Sequence, residues 1–507
     1  MAPEIKVSRL SDFSGGLNKD KDPALLEINE SPESLNCEFT RNGAVRKRKG
    51  VTKWSINENL GMSMIDYLFH WNQLVPANTW FIAVDNDGDV YHSNTNDFSG
   101  AAVADYGAAA AAREEFKAGA ALNDAFYMSS LDTTVLPLKF DGTNWTQFAD
   151  TTPNGSGNEF PIVRFLLSKH ERMFGFSSPG LHSRIWFSDP GQPETWQANS
   201  WIDVDPDDGS EIQGVASFGD GILIFKDRSI YLLSGTDENS FTLYPVDTSV
   251  GTMCPKTVVS GANKVFWLDP FQGVYVFDGA NVTPISDPIR EYLLANINNN
   301  SPYIARHSAF FYKDKYYLSV CWNGSVDTTT PTRTFVYDTR LKAWTEWSVG
   351  FASAVVVDGV AYIGRPRGDH IGGSATVGVY KLEDGETDAG AAFTSRFKTP
   401  WFSPSGSVNL KHRVRHFTLF LTSQQAGSTQ FTLARDFDPS DVVSQQTLSS
   451  VPPASEDEVV VNMPSVSRSL SNALQLTVEE VGSDPWQLNG IELTYNVRAD
   501  MRGDRSA

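Results

Sequence analysis

Carboxylate clusters come closest, of all the patterns in this chain, to a site that could do chemistry. Asp85, Asp87 and Asp89 alternate in the hexapeptide "DNDGDV", and a second acidic group fills "DVDPDDGSEI" at positions 203–212. Carboxylate oxygens suit Ca²⁺, but an EF-hand loop needs glycine at its sixth position, and Gly88 is fourth. We therefore interpret both groups as turns, because Asp, Gly and Pro favour them. A Ca²⁺ site in a propeller loop is the alternative at 85–90.

The other residue types that perform catalysis or hold cofactors lack the spacing that their chemistry requires. His412 and His416 are four apart, but in a strand they share a face with Val414 and do not form a helical ligand pair. The three cysteines form no Cys-x-x-Cys pair, which argues against a disulfide framework or a zinc site. No Gly-x-Ser-x-Gly or Walker sequence occurs. We predict a protein that is not an enzyme and has no cofactor and no metal.

Two clusters of positive charge are candidates for contacts with other subunits. One follows a glycine turn in "RNGAVRKRKG", and the cations of "LKHRVRHF" alternate along one face of a predicted strand, where they repel one another. Both clusters could instead be solvated or paired within the chain. We predict that they steer contacts with acidic neighbouring subunits. The candidate interface residues are Arg46, Lys47, Arg48, Lys49, Lys411, Arg413 and Arg415.

The charge of the chain limits how it can contact nucleic acid. It has 41 Lys and Arg against 61 Asp and Glu, a net charge of −20. Residues 1–60 are nearly neutral, with 10 basic and 9 acidic side chains, so the remainder has 31 and 52. Tight binding of phosphates requires many cations, because it is driven by counterion release. The acidic body can therefore border DNA without gripping it.

A repeat of short alternating strands predicts the fold. Hairpin-like units begin near positions 80, 124, 172, 221, 264, 315 and 359, at intervals between 43 and 51 residues. This period is typical of the blades of a β-propeller, and we expect about seven of them. "FDGTNW" at 140–145 and "FDGANV" at 277–282 lie 137 residues apart, close to three periods. We expect them at equivalent hairpin corners of blades three apart, with nearby tryptophans packed between blades.

Changes in composition and in strand pattern divide the chain into three parts. Residues 1–60 are rich in Gly, Pro and Asn, and we predict an extended arm that lies on its own propeller or on a neighbouring subunit. Residues 61–392 form the predicted propeller. Residues 393–507 open with Pro- and Ser-rich joints and continue in long alternating strands, which predicts a C-terminal antiparallel β-sandwich. The predicted class is therefore all-β.

Several segments resemble a family of bacteriophage proteins. "FSGGLN" at 13–18, "SPESLN" at 31–36 and "NGAVRKRKG" at 42–50 resemble the leader of tailed-phage virion proteins. "GILIFKDRSIYLLSG", "VFWLDPFQGVYVFDGANVTPIS" and "VYDTRLKAWTEWS" resemble propeller segments of the same group. The group includes the tail nozzle, or tail tubular protein B, of short-tailed phages. The resemblance covers the arm, most of the propeller and, less specifically, the C-terminal sandwich.

The resemblance implies a ring of six identical subunits below the portal and its adaptor, next to the tail-fibre proteins. Double-stranded genome DNA would pass through its lumen without tight binding. The implied location is the virion tail, after assembly in the host cytoplasm. No apolar stretch reaches the roughly 20 residues that span a bilayer, so we expect no direct membrane insertion. The alternatives are a propeller that binds carbohydrate or a receptor, or hydrolyses a glycan, and a stopper or minor tail protein of a long-tailed phage.

Overall fold

Strands make up almost all of the regular structure. The computed structural model describes residues 5–55, 57–58, 64–85, 88–99, 118–325, 327–365, 377–422, 428–448, 458–464, 466 and 470–498. In this part of the chain, the helical elements are α1 (Arg290–Asn296) and 3-10 turns at Pro206–Asp208, Pro255–Thr257 and Tyr303–Arg306. The predicted all-β class is confirmed.

Very short strands make up the N-terminal segment (residues 5–58). They are β1 (Lys6–Leu10), β2 (Gly16–Leu17), β3 (Glu30–Ser31), β4 (Glu33–Leu35), β5 (Cys37–Phe39), β6 (Val45–Lys47), β7 (Val51–Lys53) and β8 (Asn57–Glu58). Strands of two or three residues bury little apolar surface of their own. Their order depends on the sheets that they join.

The central part of the chain forms a succession of antiparallel sheets. Its strands are β9 (Ile65–Gln73), β10 (Asn78–Asp85), β11 (Val90–Ser93), β12 (Asp97–Phe98), β13 (Ala118–Leu122), β14 (Ala125–Ser129), β15 (Leu138–Phe140), β16 (Trp145–Gln147), β17 (Phe165–Lys169), β18 (Arg172–Ser178), β19 (Leu181–Phe187), β20 (Trp201–Asp203), β21 (Ile212–Phe218), β22 (Gly221–Lys226), β23 (Ile230–Ser234), β24 (Thr242–Asp247), β25 (Val259–Gly261), β26 (Lys264–Asp269), β27 (Gly273–Phe277), β28 (Val282–Pro284), β29 (Ser308–Tyr312), β30 (Lys315–Cys321), β31 (Pro331–Asp338), β32 (Ala343–Trp347), β33 (Ser353–Val357), β34 (Val360–Arg365) and β35 (Gly378–Leu382).

These sheets are arranged around a central axis. Four-stranded sheets are formed by β13–β16, β17–β20, β21–β24, β25–β28, β29–β32, and β33–β35 completed by β7; β9–β11 form a three-stranded sheet. The first strands of successive sheets contact one another, from β13 through β17, β21, β25, β29 and β33 to β9. The described chain is thus a β-propeller with six four-stranded blades. Because neighbouring blades cover both faces, strands such as β18 and β22 are buried at every residue.

The repeated hexapeptides occupy equivalent corners, as predicted. "FDGTNW" turns between β15 and β16, and "FDGANV" turns between β27 and β28, in sheets three apart around the ring. Gly142 and Gly279 have φ values of 89° and 99°, a region that favours glycine. Asp141 Oδ1 accepts hydrogen bonds from the amides of Thr143 and Asn144, at 2.8 and 2.7 Å. Asp278 Oδ1 accepts the equivalent hydrogen bonds from the amides of Ala280 and Asn281, at 2.9 and 2.8 Å.

The tryptophans near the blade corners pack inside the propeller. Trp196 and Trp344 are almost completely buried, with 0% and 1% of their surface exposed. Trp145 is half-buried and stacks on Phe140 with the ring centroids 4.6 Å apart. The interpretation of these rings as packing residues is therefore confirmed.

The end of the chain adds a second apolar core. Its strands are β36 (Ser395–Lys398), β37 (Lys411–Thr422), β38 (Thr429–Arg435), β39 (Asp438–Leu448), β40 (Glu458–Asn462), β41 (Leu470–Ser471), β42 (Leu474–Glu480) and β43 (Gln487–Arg498). One sheet has the order β40-β37-β43-β6-β5, with β1 beside β43 and β41 beside β37. The other continues the β29–β32 sheet as β4-β36-β42-β38-β39. Apolar side chains of both sheets share one core.

The two C-terminal sheets and their shared core are called the second unit below. The N-terminal segment connects this second unit to the propeller. Strand β4 lies between β32 of the propeller and β36 of the second unit, so one sheet of nine strands runs through both. Strands β1, β5 and β6 join the other sheet of the second unit, and β7 completes the last propeller sheet by pairing with β35. The predicted arm therefore lies on its own chain, as part of both units.

Candidate functional site

The basic run after the β5–β6 turn has two exposed and two buried cations. Arg46 is exposed, and its Nη2 contacts Glu38 Oε2 at 3.0 Å. Lys47 is buried; its Nζ donates to the Gly482 carbonyl at 2.7 Å and lies 4.4 Å from the Phe393 ring centroid. Burial lowers the pKa of Lys47 by desolvation.

Arg48 lies at the junction of the two units. Its side chain and that of Asp388 have no exposed surface, and Nη1 donates to Asp388 Oδ1 at 2.8 Å. Nε donates to Asn36 Oδ1 at 2.9 Å, and the guanidinium carbon lies 4.0 Å from the Phe393 ring centroid. These contacts replace the hydration that the guanidinium loses when it is buried.

The prediction that Lys47 and Arg48 lie at an exposed interface is wrong, because both side chains are buried. Their polar atoms bond inside the chain, where a neighbouring subunit does not reach them. Arg46 and Lys49 are exposed. Strand alternation points Arg46 away from Val45 and Lys47, whereas Lys49 follows the end of β6. The predicted interface at this run is accordingly confined to those two cations.

The second basic cluster lies on the outer face of the second unit. Lys411 is exposed, and Arg413 and Arg415 are half-buried on the same side of β37. Arg415 occupies a bulge where the pairing with β43 shifts, and its Nε donates to Asn496 Oδ1 at 2.7 Å. The alternation predicted for these three cations is confirmed.

The two histidines of that strand do not come together. His412 is buried and its Nε2 lies 2.6 Å from Ser405 Oγ, whereas His416 is exposed beyond the bulge. Burial lowers the pKa of His412. The shared face expected from the sequence is interrupted by the bulge, which reverses the alternation.

The acidic groups form turns where they are described. Asp85 is buried at the end of β10, and its Oδ1 accepts the Asp89 amide at 3.0 Å; residues 86 and 87 lie outside the described residues. In the other group, Pro206–Asp208 forms a 3-10 turn, and the buried Lys226 Nζ contacts Asp208 Oδ1 at 2.6 Å. Over the described ranges, no group of three His, Cys, Asp or Glu side chains could hold a metal ion.

The central cavity of the propeller is small, and most of the residues that line it have apolar side chains. Its volume is about 290 Å³, and first-strand residues such as Tyr67, Phe69 and Phe165 line it together with Lys256. Lys256 pairs with Asp66 and lies 4.8 Å from the Tyr67 ring centroid. A cavity of this size is at the lower limit for a small ligand, so a DNA duplex does not fit through the propeller itself.

A larger cavity, which we call the flank cavity, lies between the β17–β20 sheet and the β21–β24 sheet. It has a volume of about 540 Å³ and is bordered by the β19–β20 loop (residues 188–200) and the β23–β24 loop (residues 235–241). The side chains that matter below are those of Asp189, Gln197, Asn199, Trp201, Glu238 and Phe241. The sequence analysis missed this group, because its members are separated along the chain and match no motif; the only signal was Trp201 after an amide-rich loop.

Trp201 is held at the rim of the flank cavity. The guanidinium carbon of Arg184 lies 3.7 Å from its ring centroid, and Arg184 makes two hydrogen bonds to Asp203, at 2.7 and 2.9 Å. Even so, 39% of the Trp201 surface is exposed. An exposed indole whose position is fixed by stacking provides aromatic contact surface at low entropic cost.

Comparisons with known proteins identify no family for this chain. No family model matches it, and no curated protein matches it. No helix among the described residues has the length and apolar composition to cross a membrane.

Among solved structures, the chain is similar to PorZ, a surface component of the type-IX secretion system of Porphyromonas gingivalis, with 10% identity and a TM-score of 0.39 over 71% of this chain. The chain covers 44% of PorZ. It is similar to BBS1N in complex with ARL6DN, with 10% identity and a TM-score of 0.39, over 66% of this chain and 97% of that one. It is also similar to an exported protein of Bacteroides fragilis, with 11% identity and a TM-score of 0.32, over 62% and 83% of the two chains. None of these likenesses carries a functional argument.

Proposed function

We propose that this chain is a structural subunit of a phage tail, a nozzle-like ring below the portal and its adaptor. The observation that carries the proposal is the ordered set of leader and propeller segments that resembles tailed-phage virion proteins. The role is structural and not enzymatic. The mature protein would reside in the virion tail after assembly in the host cytoplasm.

The positions of the leader residues support this proposal. Phe13 belongs to the core of the second unit, and Gly16, with a φ of 80°, packs against the backbone and side chain of Ala343 in the propeller. Asn36 has a φ of 53° and donates to both Ser348 and Thr394. The leader segments that resemble phage proteins thus contact both the propeller and the second unit and hold them together. Such a connection suits a subunit that transmits load between its neighbours.

The fold also bears on the number of blades and the class of the second unit. We propose that the three-stranded sheet β9–β11 is a seventh blade, because β9 contacts β33 and helps line the central cavity. We further propose that the second unit is a β-sandwich, because its two sheets share one core.

DNA would pass through a lumen formed by several copies, since the propeller cavity itself is small. An acidic wall, of the kind that 52 acidic and 31 basic residues beyond residue 60 can form, repels a duplex from all sides and keeps it near the axis. Arg46, Lys49, Lys411, Arg413 and Arg415 would contact neighbouring copies or the adaptor and tail-fibre proteins.

The proposal is tested by the composition of purified particles. Quantitative mass spectrometry should find this chain in virions in the same copy number as a six-fold tail component, and particles that lack it should lose DNA. Its absence from virions, or its presence only as a removable peripheral protein without effect on DNA retention, would contradict the proposal.

A further inference from the structure

We propose that the flank cavity binds an uncharged saccharide. The cavity joins exposed aromatic surface to several hydrogen-bonding side chains, and its volume of about 540 Å³ lies within the usual range for ligand sites. This inference does not rest on the proposed structural function. It concerns a different surface, on the outer side of the propeller.

The polar groups of the cavity match hydroxyl groups. Asp189 and Glu238 can each accept several hydrogen bonds, while Gln197 and Asn199 can both donate and accept. A sugar hydroxyl also donates and accepts, so adjacent hydroxyls can satisfy such a set. Within the described part of the chain, neither the Asn199 amide nor the Glu238 carboxylate has a hydrogen-bond partner, which leaves both available to a ligand.

The charge of the cavity selects against anions. The described residues that line it include two carboxylates and no Lys, Arg or His. A phosphate, a sulfated glycan or a sialic acid would meet like charge there, because the nearby Arg184 is already bonded to Asp203. Trp201 and Phe241 offer apolar surface of the kind against which the C–H faces of a sugar ring pack.

Both walls of the cavity are fixed before a ligand arrives. In the β19–β20 loop, the Asp189 amide donates to the Thr195 carbonyl at 2.9 Å, and Gln197 Nε2 donates to Asp189 Oδ2 at 2.9 Å. In the β23–β24 loop, Asp237 Oδ1 accepts the amides of Asn239 and Ser240 at 3.0 and 3.2 Å. A preformed site loses little conformational entropy on binding.

The test uses the full-length protein and saturation-transfer NMR. The probes are trisaccharides of glucose, galactose, mannose and N-acetylglucosamine, with sialyllactose and a neutral tripeptide as competing chemistries. The variants are Asn199→Ala and Glu238→Ala, which change exposed side chains, and Trp201→Ala. The matched control is Phe271→Ala, because Phe271 is an exposed aromatic residue, 63% accessible, on another sheet.

We expect at least one neutral trisaccharide to bind at millimolar concentration or below, and each cavity variant to weaken it roughly tenfold, about 1.4 kcal/mol. Phe271→Ala should bind as the parent does, and circular dichroism should show all variants folded. The proposal is overturned if no neutral trisaccharide binds, if sialyllactose or the tripeptide binds in preference, or if the control loses as much affinity as the cavity variants.

Discussion

Arg48 and Asp388 form an ion pair in which neither side chain has exposed surface, although 340 residues separate them along the chain. The pair joins the N-terminal segment to the residues that follow the last propeller sheet. Asn36 and Phe393 also contact the guanidinium. This buried charged contact therefore adds to the sheet that runs through both units.

Removing one member of this pair should destabilise the protein strongly. Arg48→Ala leaves Asp388 buried and unpaired, which costs about 3–5 kcal/mol of unfolding free energy. The control Arg46→Ala breaks a pair whose Arg side chain is 46% exposed, and the buried Glu38 keeps its contact with Lys315, so this variant should lose only about 1 kcal/mol. Urea unfolding measures both. Equal losses in the two variants would show that the buried pair has no special weight.

Acid should weaken the fold through His307. Burial, assisted by the charge of Lys256, lowers the pKa of His307 to about 3, so the folded protein keeps it neutral while the unfolded chain binds a proton below about pH 6.5. Stability is then present above pH 6.5 and is lost as the pH falls towards 3, by roughly 3 kcal/mol at pH 4.

The variant His307→Gln isolates this contribution. It should unfold with a shallower pH dependence between pH 6.5 and 4 than the parent, as followed by urea midpoints at each pH. If the two proteins lose stability in parallel over that range, the histidine is not the group responsible.

The repeated glycine corner should tolerate no side chain. An alanine at Gly142 would combine positive φ with a Cβ that overlaps the side-chain amide of Gln73, so Gly142→Ala should lower the free energy of unfolding by more than about 1 kcal/mol. Gly180→Ala has a similar φ of 74° but nothing within 4 Å of its Cβ, and serves as the control for backbone strain alone. Thermal unfolding compares them, and the idea fails if Gly180→Ala is the more damaging change.

The exposed cations of the basic run should matter for assembly and not for folding. Reversing charge with Lys49→Glu should leave the soluble protein folded but reduce its incorporation into particles, because steering towards an acidic neighbour is lost. Lys342→Glu, an exposed lysine in the β31–β32 turn, is the matched control. Quantitative immunoblotting of purified particles measures incorporation, and unchanged levels for Lys49→Glu would remove this residue from the interface.

Local patterns predicted the features that depend on local physics. The period of the hairpins, the Asp-Gly corners and the buried tryptophans all follow from turn chemistry and strand alternation, and each was confirmed. The partners of the N-terminal segment were not predictable in this way, because β4 and β7 pair with strands some 300 residues away. For the same reason Arg48 was predicted to contact a neighbouring subunit, because its partner Asp388 is distant in sequence.

The flank cavity could not be predicted from the sequence for the same reason. Asn199 and Glu238 belong to loops of different sheets, and neither loop has a spacing that marks a ligand. Only the packing of adjacent sheets brings them to one cavity. A sequence can indicate that exposed amides and an indole are present, but not that they face a common space.

The central claim is that this chain forms a ring around the path of DNA in a phage tail. Electron cryomicroscopy of the intact particle tests it most directly. The account predicts a six-fold ring on the tail axis, with acidic side chains towards the lumen and the exposed cations of residues 46 and 49 at a subunit contact. A reconstruction in which the protein is a monomer, or lies away from the DNA path, would contradict the account.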